Sequence, residues 1–500
     1  MKKLSYICLA ALAFVSVLSC DDDSMEMPPE VIPAPDMMVY GLTDNNQLVA
    51  FNSKNSTSFS STKTIMGVPS GEKLLSIDFR PATGELYAVS NASKFYIINT
   101  STGNTRPVST TSFTPAISGT IASIDFNPTV DRIRLVTNTG QNLRLHPETS
   151  ALAATDTGIA ISSSITGIAY TNSVSGASST ILYDLDATSG KLFKQDPPNN
   201  GTLVEVGSLG ITFTGQAAFD INTDNSVALM AATTGSQNSL YKVDLSNGKA
   251  TNIGNLSQKI LDLAIPTNPV AYAVNDANAL QIFNPENPQP VTKAITGLQT
   301  GENILGIDFR PLNGQLYALG SLNRIYTINL GTGAATQVGT GTLTTALVGT
   351  EFGFDFNPTV DKIRVVSNLG QNLRLDPVTG AVTAVDGAIN PGTPTLGSAA
   401  YTNNFAGATI TSLFVIDHST DKMYLQNPPN NGTLVEVGAL GINITGANGF
   451  DIGSTSQKAY LLATVGGATK LYTVNTTNGA ATSLANYPNA VRGFAVGLGF

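Results

Sequence analysis

The feature that most constrains the fold is that the chain carries the same long segments twice, about 230 residues apart. The repeated segments are IDFRP (77–81 and 307–311), FNPTVD (126–131 and 356–361), GQNLRL (140–145 and 370–375) and PPNNGTLVEVG (197–207 and 428–438). Because these matches recur in the same order, we interpret 38–265 and 266–500 as two copies of one domain.

Each copy has the pattern of an all-β domain. Short apolar segments such as SIDF (76–79), LYAV (86–89) and FYIIN (95–99) are separated by Gly, Pro, Asn and Thr. Beyond residue 37 no stretch shows a convincing helical period of apolar residues. Each copy divides into five such units, and 230 residues divided by five gives 46, the size of a four-stranded propeller blade.

The ends of the two copies suggest how each could close. The first unit of the first copy lacks an opening strand. The segments 260–264 and 493–496 are extra strands at the ends of the two copies, and a late strand of this kind could complete a first blade. This favours an all-β fold of two tandem five-bladed β-propellers. One ten-bladed ring fits the same strands, because the link at 265–269 is short. A β-sandwich or β-solenoid is the third alternative.

Several of the repeated motifs support a family resemblance. The motifs FDFNPTVD (354–361), GQNLRL, AYTN (169–172 and 400–403) and PPNNGTL resemble a bacterial domain of unknown function, family 4394, present here twice. Many members of that family carry one copy, so the resemblance implies that each half closes on itself. The family brings no established activity, so the resemblance implies architecture and no chemistry.

The first 37 residues resemble an export signal followed by a tether. Lys2 and Lys3 precede an apolar run at 4–18, which is too short for a comfortable membrane span. The run ends in VLSC, which is similar to a bacterial lipobox. We therefore predict a signal peptide at 1–19, lipidation of Cys20 and an acidic, Pro-rich tether at 20–37. An acidic run directly after the cysteine resembles the surface-export signal of Bacteroidota lipoproteins.

Composition excludes several classes of function. With 26 Lys and Arg against 35 Asp and Glu, the net charge is −9, and no nucleic-acid partner is expected. Of the two cysteines, Cys8 lies in the predicted signal, so no disulfide or thiol site remains. His146 aligns with Asp376 and His418 with Ala187, which excludes a His-dependent site shared by both copies. Both histidines are predicted to lie in turns.

Acidic residues recur at one position of the opening strands. They are Asp78, Asp125 and Asp220 in the first copy and Asp308, Asp355 and Asp451 in the second. If these strands are innermost, the carboxylates converge on the axis. As part of the scaffold, each Asp could accept backbone N–H groups beside the turn and lock its own hairpin, which we favour. Alternatively they could bind a ligand or Ca²⁺, or act as the acid and base of a glycosidase.

Four arginines occupy strand positions that are otherwise apolar. They are Arg134 and Arg144 in the first copy and Arg364 and Arg374 in the second. A buried guanidinium requires a partner, and Asp125, Asp131, Asn138 and Asn142 are nearby in the sequence. A structural Arg–Asp network is the favoured interpretation, and a clamp for a carboxylate or an acidic sugar is the alternative.

These features favour a cell-envelope lipoprotein that acts as a non-catalytic binding module. The expected partners are the membrane, through lipid on Cys20, and a glycan or an envelope protein. No cofactor is predicted, with Ca²⁺ at the acidic positions as the alternative. A glycoside hydrolase or lyase using the Asp residues and a structural or adhesive spacer are the two alternative functions. The expected location is the outer membrane, exposed on the cell surface.

Overall fold

A computed structural model describes residues 33–160, 162–213, 215–446 and 448–500 of the chain. These residues form ten four-stranded antiparallel sheets, five in each half, in a propeller-like arrangement. The helical segments among them are three single 3₁₀ turns at Ser53–Asn55, Pro198–Asn200 and Pro429–Asn431. The prediction of an all-β chain is confirmed.

The strands of the first half are as follows: β1 (Met38–Thr43), β2 (Gln47–Asn52), β3 (Phe59–Thr64), β4 (Leu74–Phe79), β5 (Leu86–Ser90), β6 (Phe95–Ile98), β7 (Thr105–Pro107), β8 (Ala122–Asn127), β9 (Arg132–Thr137), β10 (Asn142–Leu145), β11 (Leu152–Thr155), β12 (Ile165–Tyr170), β13 (Leu182–Asp186), β14 (Lys191–Gln195), β15 (Leu203–Ser208), β16 (Ala218–Ile221), β17 (Ala228–Thr234), β18 (Gln237–Val243), β19 (Ala250–Asn255) and β20 (Ile260–Ala264). Their sheet orders are β20-β1-β2-β3, β4 to β7, β8 to β11, β12 to β15 and β16 to β19.

The strands of the second half are as follows: β21 (Ala271–Asn275), β22 (Ala279–Asn284), β23 (Asn287–Ala294), β24 (Ile304–Arg310), β25 (Gln315–Gly320), β26 (Arg324–Ile328), β27 (Ala335–Gln337), β28 (Phe352–Asn357), β29 (Lys362–Ser367), β30 (Asn372–Leu375), β31 (Val382–Val385), β32 (Leu396–Tyr401), β33 (Leu413–Asp417), β34 (Lys422–Gln426), β35 (Leu434–Ala439), β36 (Asn448–Ile452), β37 (Ala459–Val465), β38 (Ala468–Val474), β39 (Ala481–Asn486) and β40 (Val491–Val496). Their sheet orders are β40-β21-β22-β23, β24 to β27, β28 to β31, β32 to β35 and β36 to β39.

The last strand of each half pairs with the first. Gly41 of β1 pairs with Leu263 of β20, and Tyr272 of β21 pairs with Ala495 of β40. The innermost strand of each sheet also contacts the innermost strands of the two neighbouring sheets. In the first half this series runs β4, β8, β12, β16, β20 and back to β4, and in the second β24, β28, β32, β36, β40 and back to β24.

The core lies between neighbouring sheets, and its contacts repeat in the two halves. Tyr87 packs edge-on against Phe126 with ring centroids 5.0 Å apart, and Tyr317 packs on Phe356 at 5.1 Å. Alternation along each strand explains this arrangement, because successive side chains point to opposite faces and each face meets one neighbouring sheet.

The two halves contact each other through the turns that follow the innermost strands. Arg80 is fully buried there and is held by Asp131 and Glu148 of its own half. Its Nη1 donates to the carbonyl oxygen of Gly314 in the second half at 3.3 Å. The equivalent pair in the second half, Arg310 and Asp361, is more exposed.

The predicted signal peptide, Cys20 and the tether up to residue 32 lie outside the described residues. Among the described residues, no helix has the length and apolar character needed to cross a membrane.

Candidate functional site

The acidic residues singled out from the sequence meet at the centre of each half. Asp78, Asp125 and Asp220 lie on β4, β8 and β16, and one oxygen from each lies within 4.8 Å of the others. Asp308, Asp355 and Asp451 form the same group in the second half. All six side chains are buried. A Ca²⁺ ion with bonds of about 2.4 Å could span this separation, so both groups could hold a cation.

The carboxylates of these two groups connect neighbouring sheets. Asp78 Oδ2 accepts the backbone N–H of Phe126 on the next innermost strand at 2.8 Å. Asp308 accepts from Phe356 at 2.7 Å in the same way. The innermost strands are sheet edges, so their N–H groups need acceptors outside their own sheet. Each Asp therefore stabilises the junction between sheets, whereas the sequence suggested a contact within its own hairpin.

Burial raises the pKa of these carboxyl groups, and mutual repulsion adds to the effect. Burial brings the pKa of Asp220 and of Asp451 to about 7. The pKa of Asp78 and of Asp125 is raised well above the usual range by burial and by the neighbouring carboxylates. At neutral pH the acids therefore share protons, unless a cation balances them.

The first half carries a fourth central acid that the sequence reasoning missed. Asp262 on β20 accepts from the Ser76 hydroxyl and from Ile77 N, the latter at 3.1 Å. Burial raises its pKa to about 8. The equivalent residue in the second half is Gly493. On the closing strand, Asp262 lies level with Ser76, two residues before the position that is level with Asp78. This register becomes visible only when the strands are paired, so the sequence alone did not single out Asp262.

The four arginines form two equivalent networks between the third and fourth sheets of each half. Arg134 donates to Asp156 at 2.6 Å, to Asn142 at 2.8 Å and to Asn199 at 2.7 Å. Arg144 contacts both oxygens of Asp156, at 2.7 and 2.8 Å. Burial acts to raise the pKa of Asp156, but the hydrogen bonds and charges of the two arginines outweigh it and the pKa is lowered.

The second half repeats this network with the same geometry. Arg364 donates to Asp386 at 2.6 Å and to Asn430 at 2.7 Å, and Arg374 contacts both oxygens of Asp386. Of the predicted partners, Asn142 is the one that bonds to Arg134, and the main acid, Asp156, was not predicted. Asn199 and Asn430 belong to the two PPNN segments, so the networks dock those turns onto the neighbouring sheet.

A concave site lies between the two halves and is lined by residues of both. It is a cleft of about 580 Å³. Its apolar floor includes Phe79, Leu86 and Ile97, and its polar wall is the segment 99–105. The second half contributes Phe405, whose side chain is 39% exposed.

One ion pair lies at the edge of this cleft. Arg106 Nη2 donates to Glu85 Oε1 at 2.6 Å, and its Nη1 donates to the carbonyl oxygen of Leu312 in the second half at 2.7 Å. Glu85 Oε2 is buried and has no hydrogen-bond partner among the residues that the structure describes. Sequence reasoning missed this cleft, because residues more than 300 positions apart form it.

Comparison with known proteins identifies a family and leaves the activity open. A family model described as "Domain of unknown function (DUF4394)" matches residues 47–264 and again 279–495. A search of curated proteins finds no relative.

Two solved structures are similar to the chain at 10% sequence identity. One is the extracellular domain of a protein from B. thetaiotaomicron described as a one component system, with a TM-score of 0.26. The match covers 91% of this chain, which spans 65% of that structure. The other is dihydro-heme d1 dehydrogenase NirN, with a TM-score of 0.25. That match covers 80% of this chain and 72% of the NirN chain. TM-scores this low do not establish a shared fold.

Proposed function

Because the chain belongs to the DUF4394 family and carries that domain twice, we propose that it is a non-catalytic binding module of the bacterial cell envelope. The observation that carries this proposal is the cleft between the two halves. Ligand sites are commonly clefts of several hundred Å³ at domain interfaces, and this cleft has that size and place.

The composition of the cleft favours a glycan as the ligand. An apolar floor with the exposed ring of Phe405 suits the apolar face of a sugar, and the hydroxyls and amides of 99–105 suit its hydroxyl groups. The ion pair of Glu85 with Arg106 adds one acceptor and one donor group at the edge.

The central acids support a structural role over a catalytic one. Glycosidases place two carboxyl groups roughly 5 to 10 Å apart around an accessible substrate. The acids here are buried, lie within 4.8 Å of one another, and accept backbone N–H groups of the next strand. A glycoside hydrolase or lyase therefore remains the less supported alternative, and a structural or adhesive spacer is the other.

We also propose that 38–265 and 266–500 are two five-bladed propellers. The pairing of β20 with β1 and of β40 with β21 supports this, since no sheet among the described residues combines strands from both halves. The separate matches of the family model to each half support it as well.

The glycan proposal is tested by a thermal-shift screen of the chain without its signal and Cys20, against neutral and acidic polysaccharides. A ligand that binds the folded state raises the melting temperature by mass action. Phe405→Ala should abolish the shift, and Val174→Ala, at the equivalent position of the first half and outside the cleft lining, should retain it. A shift retained in Phe405→Ala would place the ligand elsewhere. A flat panel would favour the spacer.

The lipoprotein assignment has its own test. Replacing Cys20 with Ala should move the chain from the membrane fraction to the soluble fraction, because a lipidated cysteine is the proposed anchor. Protease treatment of intact cells should degrade the wild-type chain if it faces outwards. An unchanged membrane fraction would contradict the anchor, and full protection would contradict surface display.

A further inference from the structure

A polar cluster in the second half lies where the first half is apolar. It consists of Glu351, just before β28, His418, just after β33, and Asn448 at the start of β36. The three side chains surround Gly397 on β32. The equivalent residues of the first half are Ile121, Ala187, Ala217 and Thr166. Since the first half folds without this cluster, the repeated scaffold does not require it.

The polar atoms of the cluster point to one place. Glu351 Oε2 lies 3.1 Å from His418 Nδ1. A Cβ on Gly397 would lie 2.6 Å from Asn448 Nδ2, 3.3 Å from Glu351 Oε2 and 3.4 Å from His418 Nδ1. Gly397 does not have a left-handed φ, so the absent side chain provides space for the three polar groups.

These three atoms are buried and lack hydrogen-bond partners among the described residues. Oε2 and Nδ1 are within ion-pair distance, but the orientation of the imidazole does not give a hydrogen bond. Asn448 is only 1% exposed. Unpaired buried polar groups are costly, and in native proteins they often mark an ion or a water that completes their bonding.

We infer that Glu351, His418 and Asn448 bind a divalent transition-metal ion of the Zn²⁺ class. Imidazole nitrogen and carboxylate oxygen are common ligands of such ions, with bonds of about 2.0 to 2.2 Å. Two ligands at that distance and at angles of roughly 90 to 110° lie about 3 Å apart, which agrees with the 3.1 Å between Oε2 and Nδ1.

The amide of Asn448 can supply the third ligand after a rotation of its end group. At present Asn448 Oδ1 accepts from the Ser398 hydroxyl at 2.5 Å, and Nδ2 faces the cluster. A hydroxyl both donates and accepts, so Ser398 can bond equally to Nδ2 while Oδ1 faces the metal. Water fills the remaining positions, because the side chains of His418 and Glu351 retain 17% and 18% exposure.

The site connects three neighbouring sheets, those that contain β28, β32 with β33, and β36. Bound metal therefore stabilises the second half and leaves the first half unaffected.

The test uses full-length mature chain purified without a histidine tag and treated with a chelator, titrated with Zn²⁺ by calorimetry. We expect one Zn²⁺ per chain. His418→Ala and the near-isosteric Glu351→Gln should each weaken binding by roughly tenfold or more. His146→Ala, the matched control in the first half, should bind as the wild type does. Co²⁺ in place of Zn²⁺ should give a visible absorption band that His418→Ala removes.

The same titration distinguishes this site from the central acids. Asp355→Asn should leave Zn²⁺ binding unchanged, since Asp355 belongs to the other group of potential ligands in that half. The inference is overturned if the wild-type chain binds no Zn²⁺, or if Glu351→Gln and His418→Ala bind it as tightly as the wild type. Either result would leave His418 and Glu351 as an ion pair only.

Discussion

The two halves share their strands and networks, yet their centres are packed in different ways. In the first half Ser76, Ser123 and Asp262 fill the axis, and the two serine hydroxyls accept backbone N–H groups of the next strand at 2.9 and 3.0 Å. In the second half the equivalent residues are glycines, Gly306, Gly353 and Gly493. A Cβ on Gly353 would lie 2.7 Å from Ala399 N, so the strands there approach too closely for a side chain.

This difference distinguishes residues that the repeated fold requires, which are the same in both halves, from residues that differ between the halves without loss of the fold. The Asp groups and the Arg networks occur in both halves and connect neighbouring sheets, which is the behaviour of scaffold. The centre is packed differently in the two halves, the polar cluster around Gly397 is formed by residues that the first half lacks, and the cleft is lined by both halves together. A binding function specific to this protein is therefore expected where the copies differ.

The largest loss of stability is expected on replacing a buried arginine of the networks that the two halves share. Arg134→Ala should destabilise the first half by about 3 to 5 kcal/mol, because it leaves buried polar partners unpaired, and Arg364→Ala should do the same to the second. Hydrogen exchange resolved along the chain would measure each half separately. Arg144→Ala, whose side chain is 32% exposed, should cost clearly less. Unequal costs for Arg134 and Arg364 would contradict the equivalence of the two networks.

Exchanging one central residue between the copies should reveal their different packing. Gly353→Ser places the first-half residue into the second half and should cost about 2 kcal/mol, because its Cβ overlaps the neighbouring strand. The reverse change, Ser123→Gly, should cost about 1 kcal/mol through the lost hydrogen bond to Ile168. Urea unfolding would measure both changes. If Gly353→Ser were neutral, the close approach would not be a property of the second half.

The smallest expected effect is a difference between the two halves in how their stability changes with pH. Folding raises the pKa of Asp262 to about 8, so the stability it contributes is complete below about pH 4 and is lost as the pH rises through 8. Between pH 6 and pH 8 the first half should lose about 1 to 2 kcal/mol more than the second, which has glycine there. Hydrogen exchange at the two pH values measures this. Asp262→Asn should reduce the difference, and the double change with Asp184→Asn should remove it, because burial also raises the pKa of Asp184 to about 8 and the second half has Val415 there. A difference that persists in the double variant would have another source.

Much of the architecture could be predicted from the sequence, because it depends on local patterns. Alternating apolar residues define the strands, and the common register of Asp78, Asp125 and Asp220 places their carboxylates together once those strands are innermost. The extra strand at 260–264 also pairs as its sequence suggests.

The contacts between distant loops could not be predicted in this way. Asp156, which directly follows β11, meets Arg134 and Arg144 because β11 pairs with β10 with a register shift at Arg144 that no sequence pattern marks. His418 and Glu351 are 67 positions apart on different sheets, and the comparison of the copies excluded only a histidine site common to both. The cleft depends on how two complete halves pack together, which no local pattern encodes.

The pairing of β20 with β1 has a consequence for the order in which the chain can fold. Gly41 pairs with Leu263, 222 positions later, so during synthesis the first sheet keeps one edge open until nearly the whole first half has emerged. An open edge of this kind can pair with other chains. In the second half, β21 likewise keeps an open edge until its partner β40 has been made. A longer time with an open edge therefore gives a longer period in which the chain can pair with others before its sheets are complete.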